Sequence, residues 1–108
     1  YISNIYMKNW LFVAQMNKKK LEAIRKKIDL VDKQLLNIIG KRTTLVKKVI
    51  SVKNHKKQIV DKKRIKKVLI NIKNQSIKKK IDIKVTNKIW KAIISSYIDF
   101  EKRKFKKE

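Results

Sequence analysis

Residue types that mark particular chemistries are absent or scarce in this chain of 108 residues. It contains no cysteine, which excludes disulfide bonds, thiolate metal sites and cysteine nucleophiles. His55 is the only histidine. The chain therefore has no cluster of histidines for zinc or for a serine–histidine pair. Metal-dependent chemistry and catalytic triads are therefore not expected, and we predict no metal site.

Turn-forming residues and long apolar runs are equally scarce. Proline is absent and Gly40 is the only glycine, whereas an all-β fold with many tight turns needs far more of both. The longest apolar run, residues 10–14, is shorter than a signal-peptide core and far shorter than a membrane span. We therefore expect a helical, cytoplasmic protein with no membrane partner.

The charge is strongly one-sided, with 32 basic and 8 acidic residues and a formal net charge of +24. Lysine (28), isoleucine (18) and asparagine (8) together fill half of the chain, and all three have A/T-rich codons. Drift in an A/T-rich genome produces the same skew, which weakens the usual inference from a basic chain to a nucleic-acid partner. The length is typical of one domain.

A heptad pattern of apolar residues predicts one long helix of about 35 residues. A helix of this length cannot bury its apolar seam alone. The pattern starts only after Met16, so we predict an N-terminal extension over residues 1–16, either disordered or a short helix, and a helical domain over residues 17–108. The apolar positions are Leu21, Ile24, Ile28, Val31, Leu35, Ile38, Leu45, Val49 and Val52.

Two further helices are predicted after a break at residues 54–60. Asp61 can cap a short helix, residues 73–80 form a polar connection, and Asp82 can start a medium helix. The lysine-rich segment after Lys102 is expected to fray. The fold class is therefore all-α, in the order long, short and medium helix. The apolar faces contain Ile65, Val68, Leu69 and Ile72 in the short helix, and Trp90, Ile93, Ile94 and Tyr97 in the medium helix.

Arginine is the informative anomaly, because the chain has only four against 28 lysines. Arg42 lies within the apolar seam, where its planar guanidinium needs an anion and can bind a carboxylate through two hydrogen bonds. Lys53 follows three helical turns later, about 16 Å along the same face, so both cations could bracket one small anion. Arg25 lies about 25 Å before Arg42 and could reach that anion only from a second chain.

Six short motifs, at helix positions and spacings that fit together, carry a resemblance to a known family: LEAIRKKID at 21–29, DKQLL at 32–36, KRTTLV at 41–46, VK at 52–53, DKKR at 61–64 and WKAII at 90–94. Over residues 20 to about 102 the chain resembles the all-helical class of chorismate mutase. That family has a protomer of long, short and medium helices, and its homodimer intertwines the long ones. The resemblance implies conversion of chorismate to prephenate in phenylalanine and tyrosine biosynthesis, without a cofactor.

The resemblance also implies roles for individual residues. Arg42 and Arg25 of the partner subunit would hold the two carboxylates of chorismate, and Lys53 would contact a carboxylate and the ether oxygen whose bond breaks. Asp61 would help bind the ring hydroxyl, and Arg64 matches an arginine beside the site.

Three positions of the second and third helices complete this comparison. Glu101 matches a Gln or Glu that faces the ether oxygen, and Tyr97 stands one turn earlier, where the family has a smaller polar residue. Ile65 replaces a glutamate that accepts a hydrogen bond from the ring hydroxyl, a departure that is expected to weaken substrate binding.

Each candidate residue also has a plainer interpretation. Arg42 would set the register of a helical bundle, and Tyr97 would be a core aromatic with its hydroxyl at the edge. The remaining candidates would be surface or helix-capping residues: Arg25, Lys53, Asp61, Arg64 and Glu101.

Three other functions stay open from the sequence. An isochorismate-pyruvate lyase uses a similar pocket for another pericyclic reaction. A basic helical dimer that binds nucleic acid is disfavoured, because the lysines are spread over all helices and no recognised nucleic-acid motif is present. A helical scaffold would bind no small molecule at all.

Overall fold

The computed structural model of the protein describes residues 2–107, with the side chains of residues 7–107. Three α-helices follow one another: α1 (Ile2–Val52), α2 (Lys62–Lys78) and α3 (Ile83–Lys104), with a 3-10 turn at Lys56–Gln58. No strand occurs within residues 2–107, so the prediction of an all-α fold is confirmed. The chain divides into two units, the first ending at Arg42 and the second beginning at Thr43.

The first unit consists of α1 up to Arg42. The predicted long helix is confirmed but is longer than expected, with 51 residues. The prediction that residues 1–16 are disordered or form a separate short helix is wrong for residues 2–16, which belong to α1; residue 1 lies outside the described residues. The physical reason is that neither proline nor glycine interrupts the chain before Gly40. The proposed boundary between extension and domain after Met16 stays a prediction.

The predicted seam of α1 is exposed to solvent within this unit. The six seam side chains before Arg42 are between 44% and 58% exposed. A row of apolar side chains that the chain itself does not cover is typical of a helix that packs against a further helix. The six are Leu21, Ile24, Ile28, Val31, Leu35 and Ile38.

In the second unit, α2 begins where the sequence predicted. The Asp61 side chain accepts a hydrogen bond from the Arg64 N–H at 3.0 Å, which satisfies one of the free N–H groups of the first turn. The polar connection predicted at residues 73–80 is wrong, because α2 continues to Lys78. Ser76 lies in that stretch and is buried. The polar composition of the stretch therefore did not reveal a helical turn that packs against a neighbouring element.

The connection from α2 to α3 is a tight turn made without glycine. The Ile81 N–H donates to the Ser76 carbonyl at 2.9 Å, and the Lys80 N–H donates to the Ile77 carbonyl at 3.1 Å, which is a Schellman motif. Lys80 has the left-handed φ of 57° that this motif requires. Asp82 then caps α3 by accepting a hydrogen bond from the Lys84 N–H at 2.8 Å, as predicted.

Helices α2 and α3 pack against each other. The Ser76 and Thr86 hydroxyls share a buried hydrogen bond of 2.8 Å between the two helices. The predicted apolar face of α2 is half-buried. The prediction that the chain frays after Lys102 is wrong up to Lys104, where α3 ends. The next residue, Phe105, is buried. Within residues 2–107, no helix is both long and apolar enough to cross a membrane.

Candidate active site

Lys53 and Glu101 form an ion pair within the second unit. Lys53 follows the last residue of α1, and its N–H still donates to the Val49 carbonyl at 3.2 Å. Glu101 lies near the end of α3. The Lys53 Nζ is 3.4 Å from the Glu101 Oε1, and the two side chains are 19% and 10% exposed. Opposite charges in a partly desolvated place interact more strongly than on an open surface.

The Lys53 and Glu101 side chains offer different charges and different hydrogen bonds to a ligand. A lysine ammonium carries three hydrogen-bond donors and a positive charge, so it can serve an anion and a second acceptor at the same time. A carboxyl group accepts hydrogen bonds when ionised and donates one when protonated. The arrangement can therefore bind a small anion and present donors to an oxygen that gains negative charge.

A second contact joins the last turns of α1 to α3 and was not predicted. The Thr43 Oγ1 lies 2.6 Å from the Tyr97 hydroxyl, and either oxygen can donate. Tyr97 also meets Phe100 edge to face, with ring centroids 6.2 Å apart. A partly buried tyrosine hydroxyl usually finds a hydrogen-bond partner. The hydroxyl of Tyr97 therefore helps to fix α3 against α1.

Asp61 and Arg64 lie together at the start of α2. Both are exposed, and their described contact is the helix-capping hydrogen bond from the Arg64 N–H to the Asp61 carboxylate. Asp61 thus caps α2, and its part in binding a hydroxyl stays a prediction. Ile65 is half-buried on the apolar face of α2. An isoleucine cannot replace the hydrogen-bond acceptor that a glutamate would provide there.

Arg25 and Arg42 both belong to the first unit. Arg42 is half-buried and Arg25 is exposed. Both lie on one continuous helix, so the separation along the helix that the sequence implied holds within this protomer. Their joint action on one ligand stays a prediction that needs a second copy of the chain.

A model of the chorismate mutase type II family matches residues 24–102, well over half of the chain. No curated protein and no solved structure matches the chain. All seven candidate residues lie inside the matched segment: Arg25, Arg42, Lys53, Asp61, Arg64, Tyr97 and Glu101. The chain belongs to the chorismate mutase type II family.

Proposed function

We propose that Lys53 and Glu101 form the catalytic centre of this chorismate mutase. Membership of the family makes the protein an isomerase that converts chorismate to prephenate. The proposal therefore concerns which side chains perform that reaction. The observation that carries it is the 3.4 Å contact between Lys53 and Glu101, the two residues that the resemblance assigns to the same substrate oxygen.

The reaction needs little from the protein beyond shape and charge. It is an intramolecular rearrangement in which one carbon–oxygen bond breaks while one carbon–carbon bond forms. The protein must hold the compact conformer of chorismate and stabilise negative charge on the ether oxygen as its bond lengthens. A cation that is already in place and partly shielded from water stabilises this charge without reorganisation, which is the role of Lys53.

Glu101 contributes in a different way. Its carboxylate accepts a hydrogen bond from the Lys53 ammonium at 3.4 Å. Beside the ether oxygen an ionised carboxylate would repel the developing negative charge, whereas a protonated carboxyl donates a hydrogen bond to it. A carboxyl group at this position therefore assists the reaction only as a hydrogen-bond donor to the ether oxygen.

The two carboxylates of chorismate are held by Arg42 and by Arg25 of the partner subunit. The arginine fork binds a carboxylate through two parallel hydrogen bonds, which fixes the orientation of the substrate as well as its position. Support comes from the exposed apolar seam of α1 and from the length of helix between the two arginines. Each homodimer then contains two shared sites.

The remaining candidates complete the binding site. Asp61 binds the ring hydroxyl and Arg64 lies beside it, while Tyr97 shapes the wall of the site next to Glu101. Because Ile65 supplies no acceptor, the ring hydroxyl has one hydrogen bond fewer than the family pattern provides. The enzyme acts in the cytoplasm, where prephenate enters phenylalanine and tyrosine biosynthesis.

A direct assay tests the proposed activity. Purified protein is incubated with chorismate, the loss of substrate absorbance is followed, and the product is identified as prephenate. Isochorismate in a parallel reaction should release no pyruvate. Pyruvate released from isochorismate, with chorismate unchanged, would assign the chain to the lyase reaction. If neither substrate reacts, the proposed function is wrong.

A further inference from the structure

The segment after α3 is attached to both residues of the proposed catalytic centre through their backbones. The Phe105 N–H donates to the Glu101 carbonyl at 2.9 Å, and the Phe105 side chain is buried. Two residues later, the Lys107 Nζ donates to the Ser51 carbonyl and, at 2.9 Å, to the Lys53 carbonyl. One short segment thus touches the main chain on both sides of the ion pair.

The end of α1, where Lys107 binds, is the part of that helix that most needs hydrogen-bond donors from elsewhere. The last carbonyl groups of a helix accept no hydrogen bond from within the helix, and they carry partial negative charge. The last turn of α1 contains no basic residue of its own. A single ammonium from a distant part of the chain binds one of these carbonyls, that of Ser51, and the Lys53 carbonyl just beyond the helix. It thereby fixes the turn from which the Lys53 side chain leaves the backbone.

We propose that Lys107 is a positioning residue for Lys53. It holds the backbone at the end of α1 so that the Lys53 ammonium stays beside Glu101, while buried Phe105 anchors the segment that presents Lys107. This inference rests on the proposed function, because it gives Lys107 an effect on turnover only through Lys53. Lys107 does not itself contact the substrate.

A purely structural role would have a different signature. If Lys107 only stabilised the end of α1, its loss would lower the melting temperature and leave the turnover of the folded protein unchanged. A positioning role affects the transition state, because small displacements of a catalytic group lower the rate far more than they weaken ground-state binding. The ratio of the changes in kcat and KM separates the two roles.

Three variants of the full chain make the test. Lys107→Met keeps much of the side-chain length but removes the donor, and Lys107→Arg restores a cationic donor. Lys106→Met is the matched control, because Lys106 is an exposed neighbour in the same segment. We expect kcat for chorismate to fall by about tenfold in Lys107→Met with KM changed less than about twofold. Lys107→Arg should recover most of the loss, and Lys106→Met should match the wild type.

Circular dichroism and a thermal melt establish that each variant is folded at the assay temperature. A chain that ends at Lys106 serves as the second variant if Lys107→Met does not fold, and the same fall in kcat is expected. A folded Lys107→Met protein with the kcat of the wild type would overturn the positioning role and leave the proposed function intact. An inactive wild type would instead overturn the proposed function, and the positioning role with it.

Discussion

The Lys53 ammonium lies 3.4 Å from the Glu101 carboxylate although 48 residues separate them in the chain. The contact depends on how the end of α1 meets α3, which the Thr43–Tyr97 hydrogen bond and the Lys107 contacts also hold in place. A cation and a carboxyl group at this place are suited to stabilise an oxygen that gains negative charge. The position of the two side chains therefore supports the proposed catalytic centre.

Arg42→Lys should retain the fold but lose about 10- to 100-fold in kcat/KM. Lysine keeps the charge but cannot form the two parallel hydrogen bonds of the arginine fork, and a hydrogen bond to a charged group contributes about 1.5–3 kcal/mol. Steady-state kinetics with chorismate measure the loss, and circular dichroism monitors the fold.

The matched control for this variant is Arg103→Lys. Arg103 is exposed on α3, where it lies 3.6 Å from Asp99 and over the Phe100 ring. Exposed ion pairs of this kind contribute little, so the kinetics should match the wild type. Equal kinetics for the Arg42 and Arg103 variants would exclude Arg42 from the site.

Mixed dimers should restore activity that neither parent possesses. Arg25→Ala and Arg42→Ala homodimers each lack one arginine in both sites. In a mixed dimer one site collects both defects and the other contains neither. Random reassociation makes about half of the dimers mixed, so refolding equal amounts together should give roughly a quarter of the wild-type activity.

The control for this experiment is each variant refolded alone, which should stay inactive. Sedimentation should show a dimer for the wild type and for both variants. A monomer that is fully active, or a refolded mixture with no gain over its parents, would rule out the shared site.

Glu101→Gln should raise kcat/KM for chorismate. An ionised carboxylate beside the ether oxygen would repel the negative charge that develops there, whereas an amide of similar shape donates a hydrogen bond to that oxygen. Steady-state kinetics with chorismate measure the gain. Asp99→Asn, at an exposed carboxyl on the same helix, is the control and should keep the wild-type kinetics.

Equal kcat/KM for the wild type and Glu101→Gln would mean that Glu101 does not act at the ether oxygen. Lys53 would then be left as the sole donor to that oxygen.

Lys80→Gly should stabilise the protein by about 1 kcal/mol without changing its kinetics. Lys80 adopts a left-handed φ of 57°, which costs about 1–2 kcal/mol for a residue with a Cβ and very little for glycine. Thermal or urea unfolding measures the gain. Lys79→Gly is the control, since its φ of −88° suits any residue and glycine there should give no gain. Equal stability of the two variants would contradict this explanation.

Much of the fold followed from the sequence because its signals are local. The heptad seam predicted α1, and Asp61 and Asp82 marked the starts of α2 and α3 by the chemistry of helix caps. The lengths of α1 and α2 were underestimated because both continue through stretches without an apolar pattern. Ser76 is buried because it meets Thr86 on another helix, and Lys80 closes a turn in place of the usual glycine. The local sequence indicates neither of these two features.

The candidate site could be predicted only in part, for a similar reason. The resemblance selected Lys53 and Glu101 from among many charged residues, and the structure brings them together. The Thr43–Tyr97 hydrogen bond and the reach of Lys107 back to the end of α1 depend on tertiary packing, so sequence patterns did not indicate them. The roles of Arg25 and Arg42 depend on a second chain, and they remain predictions.

The most direct test of the catalytic centre is the turnover of chorismate by Lys53→Met. Methionine has a similar length but no charge and no donor, so the transition state loses the cation at the ether oxygen. Lys48→Met, at an exposed lysine in the last turns of α1, is the matched control. We expect kcat to fall by about 100-fold or more in folded Lys53→Met and to stay unchanged in Lys48→Met. A folded Lys53→Met protein that turns over chorismate as fast as the Lys48→Met control would exclude Lys53 from the catalytic centre.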